Sequence, residues 1–151
     1  MIDDFGLEMV GMTFVFQSKI IIQKSKIKHG TLMDEVSLKG RTKQFALRIM
    51  RLVDALPSSA AGRAIGNQII RSGTSVGANY RAACRGRSKA EFIAKLGIVV
   101  EEADECCFWL ELIMDGKLLP KEKIEPLLVE ANELTAIFVS SIKTTKSNRG
   151  G

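Results

Sequence analysis

Apolar residues recur along most of this chain at the three-and-four spacing of helices that bury one face. From about Thr42 to Leu56, Phe45, Ile49, Leu52 and Leu56 stand 4-3-4 apart, with Thr42 placed to cap the start and Pro57 ending the run. Ser58 or Ser59 is positioned to cap a second helix, in which Ile65, Ile69, Ser72, Val76, Asn79 and Ala83 keep the spacing as far as Gly86. That stripe is small and polar. Gly73 and Gly77 lower its helix propensity and invite a kink, and they also let a neighbouring helix approach closely.

The third segment has the clearest local signature. Ser88-Lys89-Ala90-Glu91 has the form of a capping box, in which the serine hydroxyl accepts the Glu91 amide and Glu91 reaches back. Two columns then repeat every seven residues, Phe92, Val99, Cys106, Ile113 and beside them Ile93, Val100, Cys107, Met114. A third column, Leu96, Ala103 and Leu110, widens the stripe, so this helix must touch more than one neighbour before Gly116 stops it. Pro120 and Pro126 mark the entrance of a fourth helix, where a first-turn proline removes no hydrogen bond. Leu127, Ala131, Leu134 and Phe138 carry it to about Lys143, and the polar residues 144–151 are expected to form a flexible tail.

Four helices with short links predict an all-α fold, an antiparallel up-and-down four-helix bundle over residues 33–143. The exception to helical patterning is Thr13 to Ile22, whose Phe14, Val15, Phe16 and Ile20, Ile21, Ile22 favour extended structure without a partner strand. Residues 1–32 therefore stand apart as a leader, expected either to be disordered or to be absent from a native product that starts at Met33, an in-frame methionine. At 151 residues and 46% hydrophobic content the chain has enough apolar material for one core and not two. No stretch has the unbroken apolar length of a membrane span. The N-terminus carries Asp3 and Asp4 where a secretory signal has basic residues, and Lys19 interrupts its apolar run, so a cytoplasmic protein with no membrane partner is expected.

Charge changes the picture most. From Ser37 to Val100, twelve basic residues face only Asp54 and Glu91, whereas from Glu101 to Ile142 ten acids face Lys117, Lys121 and Lys123. The modest net charge of +5 thus hides two halves of opposite sign. Arg71, Arg81, Arg85, Arg87, Lys89 and Lys95 run along the end of the second helix, the turn and the start of the third, where each can neutralise a phosphate. The competing reading pairs these groups with acids of the third helix, within or between subunits, so that the charge split serves assembly and the protein is an interaction scaffold. Phe108 and Trp109 lie off the buried stripe, on rows shared with Glu101 and Glu102, and two large aromatics on a polar face predict an oligomer interface. Asn79, at a seam position, is a further candidate for fixing subunit pairing, and Tyr80 either stacks a base or packs inside.

No catalytic constellation is present. His29 is the single histidine and falls in the leader, which leaves no Ser-His or Cys-His pair inside the bundle. The acids Glu101-Glu102 and Asp104-Glu105 lack the Glu-x-x-His pattern of helical di-metal sites. Gly62-Arg63-Ala64-Ile65-Gly66 lacks the Lys-Ser/Thr of a phosphate loop. Cys84, Cys106 and Cys107 have no metal-ligand spacing and are expected to be reduced packing residues. No metal, cofactor or enzyme activity is expected.

Four stretches together carry a family resemblance: Leu38-Lys39-Gly40-Arg41-Thr42-Lys43-Gln44-Phe45, the run from Gln68 to Ala82 containing Arg71-Ser72-Gly73-Thr74-Ser75-Val76-Gly77-Ala78-Asn79, Ser88-Lys89-Ala90-Glu91-Phe92, and Ala131-Asn132-Glu133-Leu134. In this order, from roughly Met33 to Lys143, they resemble the four-helix-bundle family of 23S rRNA intervening-sequence proteins. The resemblance implies a homopentamer without enzyme activity. It also implies a fold similar to the accessory proteins of diversity-generating retroelements, with RNA or DNA and a reverse transcriptase as possible partners. Residues 1–32 have no counterpart in that pattern.

Overall fold

A computed structural model describes residues 34–148, and the leader with its Thr13–Ile22 run lies outside them. Four helices follow one another: α1 Glu35–Ala55, α2 Ala60–Cys84, α3 Lys89–Asp115 and α4 Lys121–Ser147. No strand occurs among the described residues. Links of four or five residues oblige each helix to return beside its predecessor. Backbone contacts join α1 to α2, α2 to α3, α3 to α4 and α4 back to α1, while the diagonal pairs do not meet. The result is a closed antiparallel four-helix bundle.

The buried side chains follow the sequence stripes. Phe45, Ile49 and Leu52 of α1 are buried with Ile69 and Val76 of α2, and Leu96, Val99, Cys106, Leu110 and Ile113 of α3 share the core with Leu128, Leu134 and Phe138 of α4. Burying each large aliphatic or aromatic group contributes about 1.5–3 kcal/mol. The width of the α3 stripe is explained by its position between α2 and α4. Gly73 also has the expected role: a Cβ there would stand 2.9 Å from two carbons of Ile49, so α1 and α2 need a glycine to pack this closely. Ser72 and Thr42 are buried polar groups that bond back to their own helices, and no buried side-chain nitrogen or oxygen lacks a partner among the described residues. Burial pushes the Cys106 and Cys107 thiols up to about 12, so both stay protonated packing groups.

Element ends depart from the expectations in instructive ways. Thr42 is not a cap: α1 begins seven residues earlier, capped by Asp34, whose carboxylate accepts the Ser37 amide at 2.7 Å. Ser59 caps α2, accepting from Gly62 at 3.0 Å. Ser88 caps α3, but Glu91 reaches past it to accept the Arg87 amide at 2.8 Å. Gly116 ends α3 as its C-cap, as expected, and the left-handed residue follows it at Lys117, at φ 54. The Leu118 amide then bonds the Ile113 carbonyl, closing a Schellman-type turn. Pro120 stands at the entrance of α4 as expected, in the N-cap position without a side-chain cap bond, whereas Pro126 is the sixth residue, past the first turn, where it removes the amide that would pair with the Glu122 carbonyl. Both residues are exposed, so solvent can take that acceptor. α4 also continues through Ser147, four residues beyond Lys143, with Thr145 and Ser147 hydroxyls bonded back to the helix.

Candidate nucleic-acid interface

The up-and-down order brings the start of α1, the end of α2 and the start of α3 to one end of the bundle. There they line an open hollow of about 500 Å³ whose wall includes Glu35, Tyr80, Cys84, Arg87, Lys89 and Phe92. The end of α4 joins them, because Lys89 Nζ donates to the Asn148 carbonyl at 3.1 Å. Arg81, Arg85, Arg87 and Lys89 are all exposed at this end. The guanidinium groups of Arg81, Arg85 and Arg87 meet no hydrogen-bonding or charged partner among the described residues. The nearby acids are committed elsewhere: Glu35 to Lys39, Asp34 to its cap, and Glu91 to the Arg87 amide and to Lys95. The Arg87 amide first, and Lys95 second, hold the Glu91 carboxyl below its usual range, so it stays ionised.

Two of the six candidate phosphate contacts are paired instead. Lys95 is bound to Glu91 one turn away at 3.1 Å. Arg71 lies ten residues before Arg81, about 15 Å along the helix. It bridges to Glu102 at 3.2 Å and to Glu105 on α3. Glu105 also accepts the Trp109 indole N–H at 3.0 Å, and that bond, ahead of Arg71, lowers its pKa. Arg71 is thus paired with acids of the third helix within its own chain, and clasps α2 to α3.

The candidate interface residues divide similarly. Phe108 is 52% exposed and meets Trp109 edge-on at 4.9 Å, whereas Trp109 is half-buried and donates to Glu105. Asn79 is half-buried, with its amide turned onto its own helix at the Ser75 carbonyl, 2.9 Å away. Tyr80 is buried against Phe138 at 5.2 Å, a packing role that withdraws it from base stacking. Burial, ahead of its interaction with Cys84, raises the Tyr80 hydroxyl well above the usual phenol range.

Sequence reasoning missed three features. Lys143 and Lys146 of α4 reach the basic end because that helix runs longer than its apolar stripe. Ile98 and Leu112 share the outward side of α3 with Phe108, a signal present in the spacing of Phe108 and Leu112, four residues apart. Arg41 of α1 binds Glu130 of α4 through two bonds of 2.7 and 2.8 Å and also meets Glu133, a contact across 89 residues that no local pattern announces. Among the described residues no group of His, Cys, Asp and Glu is arranged to hold a metal, and no helix is long and apolar enough to cross a membrane.

These features define a small all-helical bundle whose distinguishing chemistry lies on its surface. The chain belongs to the 23S rRNA-intervening sequence protein family, whose sequence model matches residues 35–140. A crystal structure of a protein of unknown function from the S23 ribosomal protein family of Bacteroides thetaiotaomicron VPI-5482 is similar, with a TM-score of 0.67 and 36% sequence identity over 72% of this chain and 97% of that one. No curated protein matches.

Proposed function

We propose that this protein is a non-enzymatic, homo-oligomeric bundle that binds RNA or DNA through its basic end, with little dependence on sequence. The observation that carries the reading is the set of exposed, unpartnered guanidinium groups of Arg81, Arg85 and Arg87 beside Lys89, at the end where α3 begins. Charged groups without an internal partner contribute little to folding, whereas each neutralises a phosphate and releases its counterions. Tyr80 is buried and offers no base-stacking surface, so the reading rests on phosphate contacts. Family membership, in a family named for sequences interrupting 23S rRNA, is consistent with this reading.

Fluorescence anisotropy of labelled single- and double-stranded oligonucleotides against salt tests it. Four phosphate contacts per engaged chain predict a slope of log affinity against log salt of roughly −3 to −4, similar for unrelated sequences. A flat salt dependence, or no binding at low salt, overturns the reading and favours a scaffold whose charges serve assembly alone.

A further inference from the structure

The outward side of α3 is apolar at its centre and acidic around it. Ile98, Phe108 and Leu112 are 44%, 52% and 37% exposed. Glu101, Asp104, Glu111 and Asp115 are exposed beside them and have no cationic partner among the described residues. The Glu111 carboxyl is pushed up, first by burial and then by Asp115 and Asp104, so these acids crowd one another without a cation to relieve them. The outward side of α1 is apolar at its centre with a basic excess around it. Gly40, Lys43, Leu47 and Met50 share one face at 3-4-3 spacing, Met50 is 44% exposed, and a Cβ at Gly40 would meet nothing within 4 Å. Lys43 and Arg51 are exposed there without an acidic partner among the described residues, and Asp54, one turn beyond Met50, is an exposed acid on the same face.

In the ring of helices α1 and α3 are diagonal, so these two faces look away from each other on opposite sides of the bundle. They also run in the same direction. Counted from their shared end, Met50 is the sixteenth residue of α1, Asp104 the sixteenth of α3 and Phe108 the twentieth, so the two patches overlap in height with their apolar centres about one turn apart.

We infer that the α3 face around Phe108 of one copy docks on the α1 face around Met50 of a second copy of this chain, in a head-to-tail contact that closes into a ring. The inference rests on the reading that the bundle is homo-oligomeric, and it names the surfaces. Two different faces on opposite sides make the contact heterologous, so every copy uses each face once. The apolar centre excludes water while Glu101 and Asp104 meet Lys43 and Arg51 across the seam, which sets partner and register. Because α1 and α3 are parallel and their patches overlap in height, all copies point the same way. Their Arg81, Arg85 and Arg87 clusters then gather on one side of the ring, a multivalent surface for one polyanion.

Sedimentation at about 10 μM chain, a concentration at which interfaces of ordinary affinity are filled, tests the inference with two variants at exposed positions, Phe108→Glu and Met50→Glu. Circular dichroism confirms that each keeps wild-type helicity. The expected result is an assembled wild type, each variant alone as a monomer, and a 1:1 mixture of the two giving a species of twice the chain mass. The Met50→Glu copy retains an intact α3 face and the Phe108→Glu copy an intact α1 face, so only the mixture can form that one contact. A monomeric wild type overturns both the homo-oligomer reading and this inference. An assembled wild type with both variants also assembled, or a dimer formed by one variant alone, or a mixture that stays monomeric, overturns the inference while leaving the homo-oligomer reading in place.

Discussion

Replacing Arg41 with alanine should open the seam between the first and last helices. Arg41 donates to both oxygens of Glu130 and to Glu133, and it is the ionic link between α1 and α4 among the described residues. Side-chain exposures of 23%, 17% and 30% for Arg41, Glu130 and Glu133 place the cluster between two limits. Breaking an exposed pair costs about 0–1 kcal/mol, and breaking a fully buried one about 3–5 kcal/mol, because the remaining charge is stranded. Two half-buried carboxylates left facing each other argue for a loss of about 2–3 kcal/mol. For a domain of this size that corresponds to roughly 10 °C in melting temperature. Urea unfolding of wild type and variant at equal protein concentration measures it, since assembly makes apparent stability concentration-dependent. Arg41→Lys retains the charge and loses the fork, and should recover about half of the loss. A change below about 0.5 kcal/mol in Arg41→Ala would refute the argument that this cluster closes the ring.

Three further outcomes test the local reasoning. Gly62→Ala places a Cβ 2.0 Å from the Pro57 carbonyl oxygen, so the α1–α2 link must shift, and a chemical melt should show a loss of about 2 kcal/mol or more. Pro126→Ala restores a donor for the Glu122 carbonyl in the second turn of α4 and should stabilise the bundle by about 1–3 kcal/mol in the same melt. Glu105 has a lowered folded pKa, so its contribution is fully present above the ordinary carboxylate value of about 4.3 and is lost as pH falls through the folded value. Trp109→Phe removes the larger cause, and its urea midpoint should fall less steeply than wild type as the solution is acidified through that window; an unchanged acid limb counts against the assignment.

The bundle was legible because its core obeys one period. Phe45, Ile49 and Leu52, and later Leu127, Ala131, Leu134 and Phe138, are spaced as their burial requires. Helix starts were legible where a cap is a local event, as at Ser59 and Ser88. The early start of α1 was hidden because Thr42 stands in the buried stripe between Leu38 and Phe45, where a threonine reads as a boundary when its hydroxyl in fact bonds back to Leu38. At the candidate site, the arginines were visible but their allegiances were not. Arg71 and Arg81 look alike in sequence, and only the rotation of α2 against α3 puts Glu102 and Glu105 within reach of the first. The Arg41 cluster joins residues 89 and 92 positions apart, so it exists only once the ring has closed.

The claim that the basic end holds nucleic acid is tested most directly by reversing two charges that the fold does not use, in the double variant Arg85→Glu, Arg87→Glu. Both side chains are exposed and neither meets an acid among the described residues, so helicity and assembled mass should equal those of wild type. Binding to labelled RNA and DNA at about 0.1 M salt should weaken roughly tenfold or more for every sequence tried, with the salt slope reduced by about two. An intact assembly that binds as tightly as wild type would contradict the account.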